Sequence, residues 1–223
     1  MKKYKLIIFD WDGTLYDSAA HIVHCMQKTA REFNVEPPTA ETLRQVIGLS
    51  FEKAMEQVFP EMKDDSVQAF ASRFRAHIYA NDLEKKPTLF EGTEEVLKQL
   101  AKEEYWLAIA TGKNRSGLES ELETLKLRKL FLAIRSAGET QSKPHPQMLL
   151  EILDELGIGA HEALMIGDTI YDLEMAAHAK VDALAVNYGV HDESALKQYE
   201  IKGCLSDIRQ LPEWVAHNNK FVL

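Results

Sequence analysis

The stretch Leu6-Ile7-Ile8-Phe9-Asp10-Trp11-Asp12-Gly13-Thr14 decides the fold of this chain. Four apolar residues followed by a Gly-Thr turn are typical of a buried strand. In an open parallel α/β sheet, ligands bind at the carboxyl ends of strands, which is where we expect Asp10 and Asp12. A carboxylate at that place is costly to desolvate, so the pattern predicts a cation nearby. Taken alone, the pair also fits a plain Asp-Gly turn that closes a strand.

Three further segments place polar residues beside predicted strands or helices, and they follow the first one in a fixed order. The segments are Trp106-Leu107-Ala108-Ile109-Ala110 ending in Thr111-Gly112, then Lys143-Pro144 at a predicted helix start, then Ala163-Leu164-Met165-Ile166 ending in Gly167-Asp168. Asp172 lies one helical turn past Asp168, so both side chains can face one pocket. Each segment alone is weak evidence for an active site, but the four segments in this order form a specific pattern.

Composition narrows the class of protein. A chain of 223 residues suits one large domain or a core with a smaller insert. The net charge of −9 argues against a nucleic-acid binder and leaves room for a small anionic substrate held by local cations. Cys25 and Cys204 show no disulfide or metal-ligand spacing, which favours a reducing cytoplasm. The apolar run before Asp10 is too short for a signal peptide. No run approaches the roughly 20 apolar residues of a membrane span, so no membrane association is expected.

The periodicity of apolar residues divides the chain into two parts. Residues 18–83 show helical spacing throughout, as in Ile22, Val23, Met26, Ala30 and Phe33. Residues 1–17 and 84–223 alternate strands with helices, which predicts a parallel sheet with right-handed crossovers. We therefore predict an α/β fold, a Rossmann-like parallel sheet with helices on both faces, plus a small all-helical domain at 18–83. The hinges are expected near residues 16–18 and 83–87.

The order of carboxylate pair, hydroxyl, lysine and carboxylate pair resembles the haloacid dehalogenase superfamily, whose members are mostly phosphatases. The resemblance spans nearly the whole chain. It implies that the helical insert is a cap over the active site, and that a small phosphorylated metabolite is the substrate. It further implies Mg²⁺ as cofactor, because nucleophile and phosphate are both anionic and need a cation between them.

The resemblance assigns roles to the residues of the four segments. Asp10 would be the nucleophile that forms an aspartyl phosphate, and Asp12 the acid and base. Asp10, Asp168 and the backbone carbonyl of Asp12 would hold the metal. Lys143 would stabilise charge on the phosphoryl group, and Asp172 would orient Lys143 or a metal-bound water. Thr111 and the N–H of Gly112, which we expect to enter a helix, would bind phosphate, although Thr111 fits a helix cap equally well.

Two departures from relatives refine the subclass. Asp12 retains the carboxylate that dehalogenases and phosphonate-cleaving members replace, which favours a phosphatase or a phosphomutase. Sugar-phosphate mutases of the family commonly carry Gly-x-Ser-Arg in the cap, whereas this chain reads Gly48-Leu49-Ser50-Phe51. We expect Gly48, Leu49 and Ser50 to face the substrate and set specificity, and a plain turn between helices is an equally good interpretation.

The prediction is a cytoplasmic, magnesium-dependent phosphatase that hydrolyses a small phosphate monoester through an aspartyl phosphate. It most resembles the phosphoglycolate phosphatase-like branch of the superfamily. The alternatives are a sugar phosphomutase of the same superfamily and a non-catalytic phosphate-binding protein. The sequence predicts neither the substrate's identity nor the oligomeric state.

Overall fold

The computed structural model describes residues 3–79 and 86–219. Six parallel strands form its central sheet in the spatial order β5-β4-β1-β6-β7-β8. These strands are β1 (Leu6–Phe9), β4 (Trp106–Asn114), β5 (Phe131–Ala137), β6 (Ala163–Gly167), β7 (Asp182–Val186) and β8 (Cys204–Leu205). The first strand thus lies in the middle of the sheet, and its carboxyl end is flanked by the carboxyl ends of β4 and β6.

Helices cover both faces of this sheet, as predicted. One face carries α5 (Thr93–Lys102), α6 (Arg115–Thr124) and α10 (Leu211–Asn218), and the other carries α7 (Gln147–Leu156), α8 (Ile170–Ala179) and α9 (Glu193–Leu196). All four residues of β1 are buried: Ile7 and Phe9 pack into one hydrophobic core, and Leu6 and Ile8 into the other. Since strand side chains alternate between faces, this continuous apolar run is what a sheet covered on both sides requires.

The helical region lies between two short strands that pair with each other. The chain leaves the sheet through β2 (Tyr16–Asp17), which pairs antiparallel with β3 (Thr88–Leu89). Between them are α1 (Ala19–Glu32), α2 (Ala40–Arg44), α3 (Phe51–Val58) and α4 (Asp64–Ile78). These helices have a hydrophobic core of their own, in which Met26, Met55 and Phe70 are buried. The predicted boundary at 83 and 84 lies outside the described residues.

The α/β class and the parallel sheet are confirmed, and the local differences fall at strand ends. The strand β4 continues to Asn114, past the predicted end at Thr111, with an irregularity in its pairing with β5 after Thr111. Consequently Gly112 lies in the strand, and the expectation that it enters a helix is wrong. The next helix begins at Arg115, capped by the Asn114 side chain. No helix in the described part of the chain has the length and apolarity to cross a bilayer.

Candidate active site

The carboxyl ends of two neighbouring strands bring Asp10 and Asp168 together. Asp10 directly follows β1, Asp168 directly follows β6, and the two strands pair in parallel register. Both side chains are buried, and a carboxylate oxygen of each lies within 4.8 Å of the other and of an oxygen of Asp172. Gly13 lets the turn after β1 approach this group, because it has φ +91° and any side chain there would collide with Asp168.

Lys143 is buried among these three carboxylates. Its Nζ lies 2.8 Å from Oδ1 of Asp10 and donates a 2.6 Å hydrogen bond to Oδ1 of Asp172. The Oδ2 of Asp172 accepts hydrogen bonds from the backbone N–H and the hydroxyl of Thr169, at 3.1 and 2.7 Å, and so completes a cap at the start of α8. Asp172 is thereby fixed by the helix terminus, and it in turn fixes the position of the Lys143 ammonium group.

Asp168 is held by partners that approach from two directions. Its Oδ1 accepts a 2.7 Å hydrogen bond from the hydroxyl of Thr14, and its Oδ2 accepts a 2.8 Å hydrogen bond from the backbone N–H of Val190. A side chain at Gly189 would also collide with Asp168, so the loop after β7 packs closely on this carboxylate. The side chain of Asp168 is therefore rigidly oriented toward Asp10.

Burial and mutual repulsion raise the pKa values of the two strand-end carboxyls. Desolvation raises the pKa of Asp10 to about 7, against the opposing pull of the Lys143 charge and with a further contribution from Asp172. Desolvation also raises the pKa of Asp168 well above its ordinary value, followed by the charges of Asp10 and Asp172. The pKa of Lys143 is raised as well, because its two carboxylate partners outweigh its burial. Negative charge is thus in excess at this site.

The excess charge and an unsatisfied oxygen make this site suitable for a divalent cation. Oδ2 of Asp10 is buried and has no hydrogen-bond partner in the described part of the chain. An orphaned buried carboxylate oxygen is costly unless something cationic or hydrogen-bonding reaches it. Hard cations such as Mg²⁺ prefer carboxylate oxygens and are bound through one or two of them. The residues present therefore fit the predicted metal, with Asp10 and Asp168 as donors.

Asp12 lies apart from that cluster and has a lysine of its own. Its Oδ1 accepts hydrogen bonds from the hydroxyl of Ser18, at 2.6 Å, and from Nζ of Lys113, at 3.2 Å. Nζ of Lys113 also lies 3.1 Å from a carboxylate oxygen of Glu121, and the other oxygen of Glu121 accepts a 2.7 Å hydrogen bond from the indole of Trp11. The carboxylate of Asp12 is thus positioned by groups from β4, α6 and the start of α1.

Lys113, Glu121 and Ser18 were not predicted from the sequence as members of the site. Lys113 directly follows Thr111-Gly112, and a single lysine at that place has no pattern that separates it from a solvated side chain. One signal was available in Trp11, because a buried indole N–H usually finds an acceptor. Glu121 could not be assigned from spacing, since it reaches the site across 110 residues of chain.

Thr111 and Gly112 lie at the edge of a cavity in front of Asp10. Both line this cavity together with Asp10 and Asp12. The Thr111 hydroxyl is buried and accepts a 3.2 Å hydrogen bond from the backbone N–H of Lys113, so it shapes the turn at the end of β4. A side chain at Gly112 would collide with the carbonyl groups of Gly48 and Leu49, which shows how closely the helical region approaches the strand end.

The loop at residues 48–50 connects the helical region with the sheet. Gly48 and Leu49 line the cavity in front of Asp10. The backbone N–H of Ser50 donates a 2.9 Å hydrogen bond to the hydroxyl of Ser142, next to Lys143 in the chain. The Ser50 hydroxyl accepts from the backbone N–H of Lys53 and caps α3, so this side chain has a structural partner of its own.

Comparisons with known proteins agree with this architecture. Residues 7–186 match the family model described as haloacid dehalogenase-like hydrolase. The protein named "Probable phosphatase IndB" of Dickeya dadantii is 34% identical, and the match covers 87% of this chain and 86% of that protein. A phosphoglycolate phosphatase of Rhodospirillum rubrum is 28% identical, with 95% and 91% covered.

The fold is similar to that of a haloacid dehalogenase-like hydrolase from Bacteroides fragilis whose crystal structure is solved. The TM-score is 0.85 at 28% sequence identity, with 94% of this chain and all of the other covered. The family model spans most of the chain, and the resemblance drawn from the four sequence segments is confirmed. The chain belongs to the haloacid dehalogenase-like hydrolase family, and it is an enzyme.

Proposed function

We propose that this protein is a magnesium-dependent phosphatase that hydrolyses a small phosphate monoester through an aspartyl phosphate on Asp10. One observation carries the proposal. Asp10, at the end of the central strand, keeps one buried oxygen without a partner while Lys143 lies 2.8 Å from the other. A nucleophile needs such an available oxygen, and a phosphoryl group needs such a cation beside it. Relatives named as phosphatases, phosphoglycolate phosphatases among them, support the same reaction class.

The residues of the first cluster would bind the metal and the phosphoryl group. Asp10 and Asp168, with the backbone carbonyl of Asp12, would hold Mg²⁺, whose charge screens the repulsion between the Asp10 carboxylate and the phosphate. Lys143 would contact the phosphoryl oxygens while Asp172 keeps its ammonium group in place. The Thr111 hydroxyl and the N–H of Gly112 would donate hydrogen bonds to the remaining phosphate oxygens at the cavity edge.

Asp12 would serve as the acid and base of the reaction. It would first protonate the leaving alcohol and then remove a proton from the water that attacks the aspartyl phosphate. Its carboxylate is held by Ser18 and Lys113, close to the point where the helical region begins. The helices α1 to α4 would act as a cap at residues 18–83 that excludes water during the reaction, with Gly48, Leu49 and Ser50 on its inner side.

A sugar phosphomutase remains the second candidate from the same chemistry. It would return the phosphoryl group to a sugar instead of passing it to water. The cap loop lacks the arginine that such mutases commonly carry after Gly-x-Ser, having Phe51 there. We favour hydrolysis for this reason.

We place the enzyme in the cytoplasm. Cys25 and Cys204 are not joined in a disulfide, which is typical of a reducing compartment.

Release of inorganic phosphate from p-nitrophenyl phosphate tests the proposed function. Metal-free protein should release none, and Mg²⁺ should restore activity. Ca²⁺ should fail to restore it, because calcium takes more ligands at longer distances and loosens the in-line geometry. Phosphate release that survives exhaustive chelation would contradict the proposal. With a sugar phosphate as the substrate, an isomerised sugar phosphate formed in place of free phosphate would favour the mutase.

A further inference from the structure

The cavity in front of Asp10 has two chemically different sides. It has a volume of about 280 Å³. This is close to roughly 300 Å³, the lower limit of the usual volume range of binding sites for small organic ligands. Its sheet side carries Asp10, Thr111 and Gly112, the proposed phosphate end, and beside them Asp12, Lys113 and residues at the ends of β4 and β5. The helices of the proposed cap supply the remaining walls, so the part of a substrate that distinguishes it from other phosphate esters must contact those helices.

The helical walls of the cavity are mostly apolar. Their main members are Ile22, Met26, Ile47, Phe51, Phe74 and Ile78. Phe51 and Phe74 form a stacked pair, with ring centroids 5.4 Å apart and ring planes at 29°. Both pack against the hydrophobic core of the helical region yet remain half-buried, and both line the cavity. They therefore offer ring surface to whatever fills it.

The helical side of the cavity also carries two charged residues, and they leave its wall mainly apolar. Glu52 and Arg75 are the charged residues that this side contributes to the cavity among the described residues, and both are exposed. They carry opposite signs, and solvent screens both charges. An exposed arginine gains little from a carboxylate, because solvent screens the pair.

We infer that the substrate is a phosphate monoester whose alcohol part is apolar and contains a ring, and not a two-carbon acid such as glycolate. The inference rests on the proposed function and narrows it. An apolar ring would leave water for an apolar wall and could pack in an offset arrangement on Phe51 and Phe74. The carboxylate of a glycolate group would lose its hydration against the same wall without gaining a buried partner from the helices, and Lys113 on the sheet side is already paired with Asp12 and Glu121.

Three phosphate esters can distinguish an apolar ring substrate from a two-carbon acid. Each releases a primary alcohol, so the chemistry of the leaving group is similar in all three. They are benzyl phosphate, 2-hydroxyethyl phosphate and 2-phosphoglycolate, each assayed with Mg²⁺ for kcat/KM. We expect benzyl phosphate to exceed both others by at least about tenfold, the scale of a single apolar group in a fitted pocket. Preference for 2-phosphoglycolate or 2-hydroxyethyl phosphate would overturn the inference.

Variants of Phe74 connect the preference to the cavity. Phe74→Leu keeps the packing apolar and removes the ring, and Phe74→Ala removes most of this side chain's contribution to the wall. Both should lower kcat/KM for benzyl phosphate by about tenfold and leave 2-hydroxyethyl phosphate nearly unchanged. Leu150→Ala is the matched control, since Leu150 is exposed on α7 outside the cavity. Equal losses on both esters in the folded Phe74→Leu variant would overturn the inference.

Different assay results would contradict the apolar substrate and the phosphatase activity itself. If Mg²⁺-dependent hydrolysis of p-nitrophenyl phosphate is present but 2-phosphoglycolate is the preferred alkyl ester, the phosphatase stands and the apolar substrate is wrong. If Arg75→Ala then lost the preference for 2-phosphoglycolate, Arg75 would be the residue that binds the carboxylate of that substrate. If no phosphate ester is hydrolysed with Mg²⁺, the proposed function is wrong and this inference is wrong with it.

Discussion

Two lysines, one buried and one nearly so, lie between carboxylates at the same edge of the sheet, and they differ in the charge that surrounds them. Lys143 contacts Asp10 and Asp172, and Asp168 belongs to the same cluster, so three carboxylates face one ammonium group. Among the described residues Lys113 contacts two carboxylates, those of Asp12 and Glu121. We call these groups the Lys143 cluster and the Lys113 cluster.

The difference in charge explains what each cluster can do. The Lys143 cluster has negative charge in excess and an oxygen of Asp10 without a partner, so a divalent cation would stabilise it. In the Lys113 cluster Nζ of Lys113 donates to both oxygens of Asp12, at 3.2 and 3.4 Å, and the Ser18 hydroxyl donates to Oδ1 as well. The indole of Trp11 donates to the Glu121 oxygen that Lys113 does not contact. That cluster is complete without a further ion, so we expect it to position Asp12 and not to bind metal.

The largest effect is expected where the Lys143 cluster would supply the nucleophile. Asp10→Asn is nearly isosteric, but an amide is a poor nucleophile and a neutral metal ligand, so turnover should fall to background. Thermal unfolding should show an intact fold. Phosphate release at near-normal rates by this variant would contradict the covalent mechanism.

Removal of the lysine itself should have the next largest effect. Lys143→Ala deletes a preorganised charge at the transferring phosphoryl group, and we expect kcat to fall by roughly 100-fold or more. Lys53→Ala is the control, because Lys53 is exposed on α3 and pairs with Glu56 on the protein surface. Steady-state kinetics on folded samples decide the comparison, and small, similar effects of both substitutions would remove Lys143 from the site.

The Lys113 cluster should affect proton transfer and spare the attack on phosphorus. Lys113→Met leaves Asp12 poorly positioned, so an alkyl ester that needs a protonated leaving group should slow by roughly tenfold or more. An aryl ester such as p-nitrophenyl phosphate needs little protonation and should slow much less. If both esters slow to the same extent, Lys113 contacts the phosphate instead of positioning Asp12.

The smallest effect concerns stability and pH. Burial raises the pKa of Glu121 from its ordinary 4.5 to about 7, with Asp12 adding to the shift and Lys113 opposing it. Between these pH values the folded protein keeps a proton that the unfolded chain has released. Stability therefore falls as the pH rises through this window.

Glu121→Gln should remove that contribution to the pH dependence. Urea unfolding at intervals from pH 4.5 to 7.5 measures it, with Glu119→Gln as the control on the same helix, where Glu119 pairs with Arg115 and Arg128 at the surface. Identical slopes for the wild type and Glu121→Gln would contradict a protonated Glu121 in the folded protein.

The Lys143 cluster could be predicted from sequence because simple geometry places its members together. Asp10 and Asp168 both follow apolar runs, and the ends of neighbouring parallel strands meet at one edge of a sheet. Asp172 follows from its position one turn along the helix. The close approach of Lys143 was predicted only through the family resemblance, since a lysine before a proline has no periodicity of its own.

The Lys113 cluster could not be predicted from the sequence, because tertiary contacts form it. Its contacts join β4, α6 and the turn after β1, and the strand β4 continues past Thr111 where a helix was predicted. The extension places Lys113 beside Asp12, and no local pattern of residues encodes it. The apolar cavity was likewise not predicted, because the same apolar residues also form the core of the helical region.

Trapping of the phosphoenzyme tests the central claim most directly. In Asp12→Asn, attack on p-nitrophenyl phosphate should still occur, because nitrophenolate leaves without an acid, while hydrolysis of the aspartyl phosphate should slow for want of a base. We predict a burst of about one nitrophenolate per active site and a hydroxylamine-sensitive phosphoryl group on the peptide that contains Asp10. Nitrophenolate and phosphate released together, with no phosphoryl group on Asp10, would contradict the account.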